Sequence, residues 1–246
     1  MKILIASPSY DGSVRKEYMR AVMDLTHAFD GSGIRWELLI ESATVLHTMR
    51  SVMASKALMD DGFTHLLFLD TDMGFAPRAV QKLLEAGQEV VGCAYPYRTI
   101  PLHQKPEMLD KTLRQVIAES VPYAVRFAPG TRDVQVVDGL CEVAGLGTGL
   151  MLIARGALQK LVDAGAVERY RVGFPYGQFH RHPHYYGFFD HWVENGTILG
   201  EDYSFCQRWT SRCQGKIHAV VSEEVMHVGA LPVLGRYSDR LRTGKL

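Results

Sequence analysis

Residues 66 to 75 read LLFLDTDMGF, an apolar run that ends in two aspartates one residue apart, Asp70 and Asp72. Two carboxylates that close repel each other and are costly when half-buried, so the pair calls for a cation and a further anion to share it. A hard divalent metal held by one or two carboxylates, with phosphate oxygens completing its shell, meets that demand. A second acidic pair, Glu201 and Asp202, precedes an amphipathic stretch. Acidic residues favour a helix N-terminus, where the dipole stabilises their charge, so the pair suits a plain helix start. His227, in MHVG, is a lone histidine, which suits a structural imidazole.

These side chains need elements to hold them. KILIAS, RWELLIES, HLLFLD and EVVGCAY read as four strands, the third continuous in its apolar character, as in a strand covered on both faces. Between them, Tyr18, Val22, Leu25 and Phe29 predict a helix over 16–29. Met49, Val52, Met53 and Ala57 predict one over 48–60, closed by Gly62. Pro77 opens a third helix with Val80, Leu83 and Leu84 inward and Gly87 at its end. Residues 96–130 read as long loops and short strands. Further on come two strands around glycines, a helix over 155–164, a helix from Glu201 to a stop at Gly215, and the strand KIHAVVS. The alternation predicts one α/β domain with a mostly parallel central sheet and helices on both faces. In such a sheet, ligands bind at the carboxyl ends of the strands, where Asp70 and Asp72 fall.

Composition narrows the function classes. The 246 residues, 47% hydrophobic, suffice for a sizeable core, and 27 basic against 27 acidic residues give no field that would draw nucleic acid. The opening MKILIASPSY is too short in its apolar run for a signal peptide or a membrane span, and the four cysteines form no CxxC pair. Both point to a protein of the cytoplasm, free or peripheral at a membrane, with reduced thiols.

FLDTDMGF resembles the DxD motif of GT-A-fold glycosyltransferases. SPSYDG after the first strand, AGLGTGLMLIAR, LGEDYSFCQRW and MHVG resemble further motifs of that fold in the same order, over about Lys2 to Gly229. The nearest resemblance is to family-2-like enzymes of viral and bacterial surface-glycan pathways. It implies a GT-A, Rossmann-like fold with a nucleotide-binding half over about 1–100, an acceptor-side half over about 101–235 and a basic tail over 236–246. It also implies a nucleotide-sugar donor (UDP-, GDP- or dTDP-linked), a carbohydrate or glycolipid acceptor, and Mn2+ or Mg2+. Position by position, Asp72 would hold the metal, with His227 as second ligand. Asp70 would sit nearer the ribose or reach the metal through water. Pro8 and Tyr10 would hold the base, with Glu41 accepting a hydrogen bond from it, and Arg50 would reach the nucleotide or diphosphate. Where many relatives follow that arginine with asparagine, this chain has Ser51. Gly147 and Gly149 would let backbone approach the sugar. Asp202, or alternatively Glu201, would be the base of an inverting hexosyl or deoxyhexosyl transfer.

Other readings compete. An apolar strand ending in DxD also marks haloacid-dehalogenase-type phosphohydrolases, with Asp70 as nucleophile, but Gly74 and the two preceding strands depart from that pattern. A non-catalytic nucleotide-sugar or glycan-binding protein is the third reading. Gly145, Gly147 and Gly149 are followed by a strand rather than a helix, which excludes a dinucleotide fingerprint. His180, His182, His184 and His191 match no common zinc spacing. The aromatics beside them, Tyr185, Tyr186, Phe188, Phe189 and Trp192, would either face sugars or fill the core. Arg236, Arg240, Arg242 and Lys245 form a basic tail, either solvated or closing over a diphosphate.

Overall fold

A computed structural model describes residues 1–98, 110–173, 180–229 and 232–244. Lys245 and parts of the expected loops over 96–130 and 173–198 lie outside them.

The first half follows the alternation. β1 (Lys2–Ser9), α1 (Lys16–Gly31), β2 (Arg35–Ser42), α2 (Leu46–Met59) and β3 (His65–Leu69) come in turn. They are followed by the short β4 (Met73–Phe75), then α3 (Pro77–Glu85) and β5 (Val90–Cys93). The second half holds α4 (Leu113–Ser120), β6 (Val125–Arg126), β7 (Leu140–Val143), β8 (Gly145–Leu146), β9 (Leu150–Ala154), α5 (Arg155–Asp163) and β10 (Arg169–Arg171). It ends with β11 (His184–Tyr186), β12 (Val193–Glu194), β13 (Thr197–Ile198), α6 (Glu201–Cys213), β14 (Ile217–Val220), β15 (Val225–Val228), β16 (Pro232–Gly235) and α7 (Tyr237–Leu241).

The seven-stranded sheet runs in the order β2-β1-β3-β9-β5-β14-β7. Strand alternation sends Ile3, Ile5, Leu67 and Leu69 to the face covered by α1 and α3, and Leu4, Leu66 and Phe68 to the face covered by α2, α5 and α6. All of these strand residues are fully buried. The expected parallel character holds only in part. β1–β2, β1–β3 and β5–β14 pair parallel, whereas β9 enters antiparallel between β3 and β5, and β7 closes the edge antiparallel to β14. The reversal of β9 has a functional consequence. Its start, the Gly147–Gly149 turn, comes to the carboxyl end of β3, where the Asp70 N–H donates to the Gly149 carbonyl at 3.0 Å.

Three elements depart from the sequence expectation. α2 is buried nearly all round, Arg50, Ser51, Ser55 and Lys56 included, rather than along one stripe. The reason is a second layer. Segment 184–189 lies over its outer side, with the Tyr186 and Phe189 N–H groups donating to Ser55 Oγ (2.8 Å) and Ser51 Oγ (3.0 Å). α4 falls in the stretch read as loops and is opened by a capping box in which Thr112 and Gln115 exchange side chain-to-backbone hydrogen bonds. The basic tail is neither loose nor bent over the Asp70–Asp72 turn. Tyr237 is buried, Asp239 accepts from Arg114 Nε at 2.7 Å, and Arg240 Nη1 donates to the carbonyls of Ala118 (3.4 Å) and Val121 (3.2 Å). α6 ends at Cys213, with Gln214 taking the left-handed position (φ 52°) expected of Gly215.

Candidate active site

The carboxyl ends of β1 and β3, the start of β9 and the N-terminus of α6 meet at one end of the sheet. After β1 the chain turns tightly because Ser9 Oγ accepts from the Gly12 N–H at 2.9 Å and donates to the Ser13 carbonyl at 3.1 Å. The Arg15 N–H then donates to the Thr71 carbonyl at 2.9 Å, tying this turn to the Asp70–Asp72 turn. Between the two turns lies a cleft of ≈ 270 Å³ lined by Pro8, Tyr10, Arg50, Asp70, Asp72 and Arg98. Tyr10, 72% exposed, stands at its rim. A larger groove of ≈ 990 Å³ beside α3 is lined by Arg78, Glu85, Asp138, His218 and Glu223 and lies away from the ends of β1 and β3.

Arg50 is the hub. It is 2% exposed, its guanidinium carbon lies 5.4 Å from the centroid of the Phe68 ring, and its Nη2 donates to Asp70 Oδ1 at 2.8 Å. Its Nε lies 3.5 Å from Glu201 Oε1, and neither Nε nor Nη1 has a hydrogen-bond partner among the described residues. Burial works against its charge, but Asp70 and Glu201 outweigh that and hold the guanidinium above its ordinary pKa. Asp202 shares this neighbourhood under the opposite balance. Burial, reinforced by Glu201, pushes its carboxyl up to about 6, although its Oδ1 accepts the Tyr203 N–H at 2.8 Å. A carboxylate near that value suits proton abstraction at neutral pH better than an ordinary aspartate.

Asp72 faces the other side of the turn. β4 pairs antiparallel with β15, His227 opposite Met73, which brings His227 Nε2 to 3.5 Å from Asp72 Oδ2. The other ring nitrogen, Nδ1, is 2.9 Å from the Pro96 carbonyl. A proton on Nδ1 makes that contact a hydrogen bond and leaves the Nε2 lone pair facing Asp72, an orientation favoured in metal-ligating histidines. Arg98 Nη1 donates to the same Asp72 oxygen at 2.8 Å. Burial would raise the Asp72 carboxyl, but a protonated His227 with Nε2–H turned to Asp72, and then Arg98, more than offset it and keep it below the usual range; the neutral Nδ1–H form instead sets a lone pair against that carboxylate, a pairing that a cation between them relieves.

The structure thus brings together Asp70, Arg50, Glu201 and Asp202 as one cluster, and Asp72 with His227 as an adjoining one. Pro8 and Tyr10 line the cleft, and Glu41 stands beside Pro8 in register on β2, its carboxyl pushed up by burial. At Gly147 and Gly149 the space a side chain would occupy is filled by the Tyr95 ring, whose hydroxyl accepts the Gly149 N–H at 3.1 Å. The absence of side chains thus lets Tyr95 pack against this wall of the site. Among the aromatics, Phe188 and Phe189 are fully buried core residues, while Tyr185, Tyr186 and Trp192 are half-buried. The histidines beside them contact separate partners: His180 the His184 carbonyl, His182 Asp60, and His191 the Leu199 carbonyl.

Sequence reasoning missed Arg98 and Tyr95. Both follow the fourth strand, and a cation just beyond the carboxyl end of a central strand was the available signal for Arg98. Tyr95 carried none, because its role depends on β9 running antiparallel beside β5.

No family model matches the chain, and no curated protein matches it. Among solved structures the chain is similar to the STIV protein A197, with a TM-score of 0.49 and 20% identity over 93% of this chain and 86% of that one. It is also similar to a glycosyltransferase involved in the glycosylation of the major capsid of PBCV-1, with a TM-score of 0.34 and 14% identity over 72% of this chain and 70% of that one. Likenesses this distant carry no argument about activity, so the chemistry of the site has to carry the function.

Proposed function

We propose that this chain is a metal-dependent glycosyltransferase that moves a hexosyl or deoxyhexosyl group from a nucleotide-sugar to a hydroxyl of a carbohydrate or glycolipid, with inversion at the anomeric carbon. One observation carries the reading. Asp72, with His227 Nε2 3.5 Å from it, lines the cleft together with the Arg50–Asp70 pair, and Asp202, its carboxyl pushed up to about 6 by burial, lies close enough for Arg50 to feel its charge.

The donor set fits a divalent cation of the Mn2+ or Mg2+ kind. Asp72 Oδ2 and His227 Nε2 converge, and a guanidinium already occupies the same oxygen, the position a cation would choose. Among the described residues no group of three or more candidate ligands forms, so the chain offers two ligands and leaves the rest of the shell to diphosphate and water. The imidazole favours Mn2+ over Mg2+. When bound, such an ion neutralises charge that develops on a departing diphosphate.

The other steps belong to the chain. Tyr10 stacks on the nucleotide base, and the turn from Ser9 to Ser13 presents it. Arg50 fixes Asp70 and Glu201, and Asp70 accepts from the ribose. Asp202 takes the acceptor proton as the hydroxyl attacks, and Glu201 beside it keeps that carboxylate basic by repulsion. Tyr95 and the glycines pressed against it hold the wall in place.

The experiment offers UDP-, GDP- and dTDP-linked sugars with Mn2+ and follows nucleoside diphosphate release. One nucleotide class should be consumed in a metal-dependent way, and Asp202→Asn should bind that nucleotide but not turn it over. Unchanged turnover in Asp202→Asn removes that residue as base. Hydrolysis of a simple phosphate ester with no use of any nucleotide-sugar would make the protein a phosphohydrolase instead.

A further inference from the structure

A second polar pocket opens on the far side of α6 from the cleft. Its volume is ≈ 350 Å³, at the small end for ligand sites, and its polar lining is Glu168, Asp190, Trp192, Arg208 and Arg212. Arg208 lies seven residues along α6 from Glu201, about 10 Å at the helical rise, so this pocket is separate from the candidate active site.

Arg208 is the anomaly. It is only 7% exposed, yet among the described residues it forms no ion pair, and the hydrogen bond it makes, from Nη1 to the Phe188 carbonyl, is long at 3.4 Å. Burial holds its guanidinium below the ordinary value, with Asp190 only partly restoring it. One helical turn on, Arg212 also has no ion pair among the described residues. The two guanidinium carbons lie 5.8 and 5.5 Å from the centroid of the Trp192 ring. A guanidinium packed on an aromatic face keeps its in-plane N–H donors for a ligand. The Trp192 Nε1–H is buried with no hydrogen-bond partner among the described residues, so the indole offers the pocket its face and not its donor. Its backbone is fixed by the Trp192 N–H donating to Ser204 Oγ at 2.8 Å, so the wall is preorganised.

The opposite wall carries acceptors. Asp190 Oδ2 accepts the Tyr170 hydroxyl at 2.8 Å, and its carboxylate fills the space that a side chain at position 187 would need, which Gly187 leaves open. Glu168 is exposed at the mouth. Two carboxylates across from two guanidiniums would repel a bare inorganic anion. They suit a ligand that brings one negative group to the arginines and hydroxyl donors to the acids.

We propose that this pocket binds an acidic sugar, a single polyhydroxylated ring bearing a carboxylate or phosphate, with Arg208 and Arg212, both held on the Trp192 ring, on the anion and Asp190 and Glu168 on the hydroxyls. The assignment does not depend on what the cleft at the other end of α6 transfers.

The test is a titration of the intact 15N-labelled protein with glucuronate, glucose 6-phosphate, glucose and inorganic phosphate. It follows the indole N–H resonances of the three tryptophans, assigned with Trp192→Phe. The Trp192 resonance should move saturably with glucuronate, with glucose 6-phosphate, or with both, and the responder identifies the anion. Glucose and inorganic phosphate should bind at least about tenfold more weakly than the responder. Arg212→Gln lies on the exposed side and should melt like the wild type while losing at least about tenfold in affinity. The proposal is overturned if neither acidic sugar moves that resonance, if inorganic phosphate binds as tightly as either, or if Arg212→Gln binds undiminished. If Arg212→Gln fails to fold, isothermal titration of Arg212→Lys decides in its place, because loss of the planar guanidinium fork must weaken binding and unchanged affinity overturns the assignment.

Discussion

Arg50 and Arg208 are buried to a similar degree, 2% and 7% exposed, in opposite surroundings. Arg50 bonds Asp70, approaches Glu201 and feels Asp202, and its charge is held more firmly than in water. Arg208 has one long hydrogen bond and an aromatic face, and its charge is held less firmly. The difference teaches what each is for. A buried cation with several close carboxylates organises those carboxylates, while a buried cation with no ion pair among the described residues leaves its charge to a visiting anion.

The largest effect should come from the acid end of that contrast. Asp202→Asn removes the proposed base and should lower kcat by about 10²- to 10⁴-fold with the KM for donor little changed, measured as nucleoside diphosphate release. Arg50→Met comes next. It strands Asp70 and Glu201 as half-buried like charges and should cost about 3 kcal/mol, the low end for a broken buried pair, in urea unfolding. A loss under about 1 kcal/mol would mean that the acids do not depend on it.

The Asp202 carboxyl also makes the contrast visible as a function of pH. It titrates near 6 in the fold against 3.8 ordinarily. The native state therefore binds more protons than the unfolded chain between those values, and stability falls as pH rises from about 4 to about 6, by up to about 3 kcal/mol. Turnover should rise over the same interval, since the base must be ionised. Asp202→Asn should flatten the stability slope. A pH–rate limb centred near 4 would contradict the burial argument. The smallest effect is assigned to Arg208→Met, which replaces an unpaired buried charge by an apolar side chain and should leave stability within about 1 kcal/mol of the wild type or raise it. A loss as large as that of Arg50→Met would erase the distinction between the two arginines.

The first half of the fold was legible because each element announces itself locally. The stripe from Tyr18 to Phe29, the apolar run into Asp70 and the proline at the start of α3 all mark elements that the structure contains. What failed was decided at long range. The uniform burial of α2 depends on a segment more than a hundred residues away, whose backbone N–H groups bond to Ser51 and Ser55. No local pattern could set the direction of β9, and with it went the role of Tyr95. α4 was a different kind of miss, since TLRQ carries a capping box in plain sequence. At the site, Asp70 and Asp72 stood out because their chemistry sits at a strand end, whereas Arg50, Glu201, Asp202 and His227 took their roles from the motif resemblance. Arg208 and Trp192 read as ordinary members of a helix and a loop, and only the scarcity of side-chain partners among the described residues sets them apart.

The central claim is that Asp72 and His227 form the protein's share of a cation site that a nucleoside diphosphate completes. The most direct measurement is isothermal titration of UDP, GDP and dTDP into the wild type and Asp72→Asn, each with and without Mn2+. One nucleotide should bind at least about tenfold more tightly with Mn2+ in the wild type, and that gain should vanish in Asp72→Asn. Binding that ignores the metal, or a metal-dependent gain that persists in Asp72→Asn, would contradict the account.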